Sequence, residues 1–161
     1  MGHAEGNLSA VSDPYNLQRF LDAQSEVYAE VIRELRDGRK RTHWMWFVFP
    51  QLTGLGRTVT AQHFGISSAA EAQAYLGHPV LGQRLRECAG LLRDYPGMRP
   101  ISVILGATDS LKLRSSMTLF TAAGSAAGSA ADRQLFQAVL DRYYDGDPDE
   151  RTLTMLNRPR G

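Results

Sequence analysis

Ten consecutive residues, Thr42-His43-Trp44-Met45-Trp46-Phe47-Val48-Phe49-Pro50-Gln51, contain both tryptophans of the chain, two of its six phenylalanines and one of its four histidines. No other stretch constrains the fold as strongly. A run apolar on every side must be enclosed by other elements, as the centre of a core or the floor of a pocket. Periodicity alone cannot separate a short helix from a buried strand here. Helical neighbours, and the lack of partner strands elsewhere, favour one or two helical turns.

The rest of the chain supplies those neighbours. Asp13-Pro14 has the form of a helix start, a capping carboxylate followed by proline. Leu17, Leu21, Tyr28, Val31, Ile32 and Leu35 then recur at helical spacing up to Gly38, which predicts one long helix. Thr60 to Phe64 reads as a short helix. Ser68-Ala69-Ala70-Glu71 is a capping-box pattern leading to Gly77. From Pro79 a stripe of Leu81, Leu85, Cys88 and Leu92 marks another helix, with His78 as its cap. Ile101 to Leu105 is a short apolar segment, helix or strand. Asp109 to Ala123 is helical, Gly124 to Ser129 a small-residue loop, and Ala131 to Asp145 a helix ending at Gly146. A last helix follows Pro148. The expected fold is all-α, a compact orthogonal bundle of about six to eight helices. It forms a single domain over 13-157, after a disordered lead-in at 1-12 and before a tail at 158-161.

Composition narrows the function classes. A chain of 161 residues with 43% hydrophobic and 22% charged residues is one ordinary globule able to bury a core unaided. Lys and Arg total 18 against 17 acids, a net charge of +1, which argues against an extended nucleic-acid surface. No apolar run reaches the roughly 20 residues of a membrane span, and no signal-peptide core is seen. The lone Cys88 sits in an apolar stripe and reads as core. No Cys/His spacing suggests a metal, and no Walker loop or Ser-His-Asp order suggests a cofactor or a triad. A cytoplasmic enzyme or small-molecule-binding protein is the expectation.

The candidate site comes from polar residues on apolar faces, whose burial costs about 1–3 kcal/mol each unless they are satisfied. Gln24 lies mid-arc in the first helix, either bonded to a nearby helix end or facing a ligand. Asp109, Lys112 and Ser116 follow one another at i, i+3 and i+7 beside Leu119 and Phe120. An acid, a base and a hydroxyl in apolar surroundings often mark a site, though a surface i,i+3 ion pair would give the same spacing. Arg114, Thr118, Ser110 and Thr121 should form the wet side of that helix, and Leu111 should be enclosed. His43 follows Arg39-Lys40-Arg41, a triplet that either exits a helix into solvent or holds a phosphate through Arg41. Gly54-Leu55-Gly56-Arg57 offers amides and a guanidinium to an anion.

The stretches from Asp13 to Phe20, Arg39 to Gln51, His78 to Gly82 and Leu111 to Phe120 resemble a bacterial family, the domain of unknown function eighteen-ten, over roughly Asp13 to Leu156. That resemblance implies a mainly α-helical fold and carries no established activity. A looser likeness, in kind rather than in aligned residues, links the helical mix of aromatic, lysine and acidic side chains to proteins of the NADAR class. These are associated with N-glycosidic cleavage of ADP-ribosyl groups. Two functions are therefore expected. One is binding, with hydrolysis, of a nucleotide or ADP-ribose-like molecule: Trp44 and Trp46 stack the base or ribose, Arg41 or Arg57 holds phosphate, and Gln24, Gln51 and Ser116 supply hydrogen bonds. His43 or Asp109 handles the proton, with Lys112 setting the local charge. The other is a non-catalytic small-molecule or protein-binding module using the same strip. Both require His43, Asp109 and Lys112 to face one cavity together with a tryptophan; a third possibility is that the polar strip is a buried structural network fixing helix packing.

Overall fold

The computed structural model describes residues 13–158. Ten helices, and no strand longer than a single bridge, make up those residues: α1 (Gln18–Ser25), α2 (Tyr28–Asp37), α3 (Met45–Val48), α4 (Val59–His63), α5 (Ala69–Gly77), α6 (Leu81–Arg93), α7 (Ile101–Ile104), α8 (Ala107–Ala126), α9 (Ala130–Tyr144) and α10 (Glu150–Leu156). The expected lead-in at 1-12 and the last residues of the expected tail, 159-161, lie outside the described residues.

More helices appear than the six to eight expected because long segments break where the backbone demands it. Asp13 does act as a cap, its carboxylate accepting from Leu17 N at 2.7 Å and Gln18 N at 3.0 Å, but a turn intervenes with Asn16 at φ 52°. The helix therefore starts at Gln18 rather than beside Pro14. The single helix expected up to Gly38 is in fact α1 and α2, parted at Glu26 and Val27. The aromatic run is one turn, α3, and residues 101–104 are helical, not a strand. Elsewhere the local chemistry acts as its sequence implies. Ser68 Oγ accepts from Glu71 N at 3.1 Å, and His78 Nδ1 accepts from Val80 N at 3.1 Å and Leu81 N at 3.2 Å. The small-residue stretch after Ala123 continues helical to Ala126, leaving a shorter loop than expected.

Two helices organise the core. The 20-residue α8 packs on α5, α7, α9 and α10, and α6 packs on α2, α3, α5 and α9. A row of buried aromatic rings crosses the layers, Phe20 edge-on to Tyr75 at 5.0 Å, Tyr75 to Phe120 at 5.4 Å, and Phe120 to Phe136 at 6.0 Å. Truncating one such ring to alanine costs about 3–5 kcal/mol, so this row is a principal source of stability. α6 begins directly beneath the end of α5, where a Cβ on Gly82 would lie 2.0 Å from the Leu76 carbonyl oxygen. Only glycine permits that approach.

The side of α8 expected to be wet is largely covered. Ser110 and Thr118 are buried: Tyr144 donates its hydroxyl to the Ser110 carbonyl, and Thr118 Oγ1 accepts from Asp149 N at 2.8 Å. α9 and α10 return over this face, which the local period could not reveal. Leu111, expected to be enclosed, is 66% exposed.

Candidate functional site

The site is assembled around a buried acid at the end of α2. Glu34 falls one helical turn from Val31 on the apolar arc and is fully enclosed. Its Oε1 accepts from Arg41 N at 2.9 Å, Thr42 N at 3.2 Å and the Trp44 indole Nε1 at 2.8 Å, and its Oε2 accepts from Thr42 Oγ1 at 2.8 Å. Burial pushes the carboxyl pKa up, yet these hydrogen bonds outweigh it and hold the group below its ordinary value. Glu34 therefore stays ionised and fastens the loop between α2 and α3.

That loop turns at Gly38, in the left-handed region at φ 69°. It then lays Lys40 against α7 and α8. Lys40 N donates to the Ile104 carbonyl at 2.7 Å. The Lys40 ammonium donates to the Thr42 carbonyl at 2.6 Å, sits 5.1 Å from the Trp44 ring centroid, and reaches Asp109 Oδ2 at 3.0 Å. The other oxygen of Asp109 receives Lys112 Nζ at 3.3 Å, and Lys112 in turn lies 4.5 Å from the centroid of Trp46. Two ammonium groups, each seated on a tryptophan face, thus share a single carboxylate. The three side chains are 8%, 20% and 19% exposed for Lys40, Lys112 and Asp109, so the cluster opens to solvent at the α8 edge. Its charges sum to one positive charge beside the uncapped start of α8, where Gly106 brings no side-chain cap. Each of these features favours an anion.

One helical turn beyond Lys112, Ser116 is fully buried, and its hydroxyl finds no hydrogen-bond partner among the described residues. The contrast with its neighbours is sharp. Ser115, Thr118 and Thr121 return their hydroxyls to the carbonyls of Leu111, Arg114 and Met117 at 3.3, 2.8 and 2.7 Å. The Trp46 indole Nε1 is likewise buried without a partner. Trp46 is the ring on which Lys112 sits, and Ser116 stands one turn after Lys112 on the same helix.

The structure brings together Asp109, Lys112, Trp46 and, through Lys40, Trp44. Trp44 is enclosed at 1% exposure, with its N–H given to Glu34, so its ring faces belong to the core and to Lys40. Gln24 is buried with its amide engaged internally. Nε2 donates to the Phe47 carbonyl at 2.7 Å and to the Tyr75 hydroxyl at 3.1 Å, and Oε1 accepts from Arg84 at 3.2 Å. It ties α1, α3, α5 and α6 together. His43 is exposed, and no hydrogen bond among the described residues links it to Asp109 or Lys112. Arg41 points outward to an exposed ion pair with Asp37 at 3.2 Å. Arg57 is exposed on the loop before α4, and Gln51 is partly buried beside Gly56. The expected cavity shared by His43, Asp109 and Lys112 is not what is found. Five surface clefts of about 580, 360, 430, 430 and 480 Å³ are lined by none of these three residues and by neither tryptophan.

Two residues central to the site escaped the sequence reading. Glu34 carried a signal, an acid one turn from Val31 on an apolar arc. Lys40 carried none that singled it out within Arg39-Lys40-Arg41, since all three look alike until the turn at Gly38 is placed. Among the described residues no group of three or more His, Cys, Asp or Glu side chains could hold a metal ion, and no helix is long and apolar enough to cross a membrane. Cys88 is buried, and burial raises its thiol pKa to about 12.

Residues 14–156 match the family described as Protein of unknown function (DUF1810). The chain belongs to this family. Among solved structures, the chain is similar to the crystal structure of the conserved hypothetical protein Rv1873 from Mycobacterium tuberculosis. The two are 53% identical with a TM-score of 0.85, and the match covers 91% of this chain and all of that one. Relatedness of that degree shows that the two chains share one fold. No curated protein is significantly similar to the chain.

Proposed function

We propose that this DUF1810 protein binds a small phosphoryl-bearing anion, of the kind that nucleotides and ADP-ribose carry, at the solvent-facing Lys40–Asp109–Lys112 edge, a surface site that uses neither His43 nor the shared cavity expected from the sequence. The observation that carries the reading is the pair of ammonium groups, each on a tryptophan ring and both leaning on Asp109. Such a pair offers charge-assisted hydrogen bonds to phosphate oxygens once a ligand arrives. The Trp46 Nε1 and Ser116 Oγ are enclosed without a partner among the described residues, so a ligand reaches them only where the side chains covering them move aside. Nucleotide-like ligands suit the site through their phosphates, which the two ammonium groups would bind.

Binding is favoured over turnover. A general acid or base needs a proton position that can change hands. Each Asp109 oxygen already meets an ammonium, and His43 stands exposed without a link to the cluster. The test is calorimetry and thermal melting with nucleotides, ADP-ribose and pyrophosphate, together with chromatography of each ligand after long incubation. A ligand at about 100 times its Kd should raise stability by about 2.7 kcal/mol, and so raise Tm by roughly 5–10 °C. Saturable binding that Lys112→Gln removes supports the reading. Flat titrations across the panel would sink it, and a new product peak would shift it toward a hydrolase.

A further inference from the structure

We infer that Asp109 is the resident anion of this site, and that a ligand's phosphoryl group binds by exchanging with it. This rests on the reading above that anions bind here, and it adds how the site is kept while empty and which anionic group it prefers. Lys40 and Lys112 come from different elements, the loop after α2 and the second turn of α8, and have no direct link to one another. What holds both is the Asp109 carboxylate, one oxygen to each ammonium at 3.0 and 3.3 Å. Lys40 is 8% exposed, and an ammonium so enclosed needs an anion in place at all times. Asp109 meets that need in the ligand-free protein and occupies the place of an incoming anion.

The arrangement selects by charge and shape. A monoanionic carboxylate ligand would replace Asp109 like for like, with no electrostatic gain. A phosphoryl dianion carries a second charge for the second ammonium and presents two oxygens in the same bridging manner. Its third oxygen is left for solvent. Asp109 itself stands in the first turn of α8 with its side chain 19% exposed, so released from the lysines it can turn to water. The released carboxylate also stays at the positive end of the helix, where a negative charge remains favoured.

The experiment is titration calorimetry with inorganic pyrophosphate, phosphate and acetate against the wild-type chain and Asp109→Asn, at two salt concentrations. Asparagine keeps the shape and removes the competing charge. Asp109→Asn should bind pyrophosphate about tenfold or more tightly than wild type, with acetate binding weaker than phosphate in both proteins. Pyrophosphate binding by wild type that is unchanged or weaker in Asp109→Asn would overturn the exchange while leaving the anion site standing. No binding of any probe by either protein would remove the anion site itself, and the exchange with it. If Asp109→Asn does not fold, judged by circular dichroism, Asp109→Ser is measured in its place with the same expectation. Lys112→Gln supplies the control, losing pyrophosphate binding in the wild-type and Asp109→Asn backgrounds alike.

Discussion

Trp44 donates its indole N–H to the Oε1 of Glu34 across 2.8 Å, and that bond joins the end of α2 to the start of the aromatic turn. The same carboxylate takes three more donors from Arg41 and Thr42. Glu34 thus fixes Arg41, Thr42 and Trp44 directly, while Lys40 just before them is held by the Ile104 carbonyl and by Asp109.

Glu34→Gln should therefore destabilise the protein severely. The amide keeps one acceptor, loses the charge, and aims its NH₂ at groups that are themselves donors. Breaking such a buried charged network costs about 3–5 kcal/mol, a Tm loss on the order of 10 °C measured by differential scanning calorimetry. A loss under about 2 °C would show that the loop is held by its packing instead.

Gly38 offers a second test of the same loop. Its φ is 69°, and a Cβ there would lie 2.5 Å from the Tyr95 ring. Gly38→Ala thus meets both a left-handed backbone and a clash, for a cost of about 2–3 kcal/mol in chemical denaturation. Pairing it with Tyr95→Ala relieves the clash but not the backbone. The Gly38→Ala step should therefore cost less in the Tyr95→Ala background than in wild type, yet remain destabilising.

How much of this could be read from the chain depended on whether the cause was local. The stop at Gly38, the Ser68 and His78 caps and the Leu81-Leu85-Cys88-Leu92 stripe act over a few residues, and they stand where the sequence places them. The break between α1 and α2 and the burial of Thr118 depend on which distant helix lies alongside, so spacing could not show them. The Asp109–Lys112 pairing was legible from an i,i+3 interval. Its completion by Lys40 was not, because it requires the loop to fold back across some seventy residues of sequence.

Ser116 separates stability from function. Its buried hydroxyl has no partner among the described residues, whereas the hydroxyls of Ser115, Thr118 and Thr121 do. Removing an unsatisfied buried group relieves a desolvation cost, so Ser116→Ala should leave the ligand-free protein equally stable, or up to about 1 kcal/mol more stable. Thr118→Ala, which also abandons Asp149 N, should destabilise by about 1–2 kcal/mol. If Ser116→Ala instead destabilises as much as Thr118→Ala in urea unfolding, its hydroxyl is already satisfied and is no reserve for a ligand.

Acid should weaken the protein through a defined pair of carboxyls. Arg86 grips Asp132 with Nε to Oδ1 at 2.7 Å and Nη2 to Oδ2 at 2.9 Å, and this holds the Asp132 carboxyl below its ordinary value. Glu34 is lowered as well, its hydrogen bonds outweighing its burial. A carboxyl whose folded pKa lies below its unfolded one binds its proton more readily in the unfolded chain. Its stabilisation is therefore complete above the unfolded values, near 3.8 for Asp132 and 4.5 for Glu34, and drains away as pH falls through the folded ones. Tm should hold level from pH 7 to about pH 5 and drop below that. Asp132→Asn should lower Tm at neutral pH by an amount matching only about 1 kcal/mol, since the Arg86 side chain is 40% exposed and solvent screens the pair. Its curve should approach that of wild type as the pH falls. Parallel curves at all pH values would mean that the ion pair contributes nothing to the acid transition, and that other carboxyls, Glu34 among them, set it.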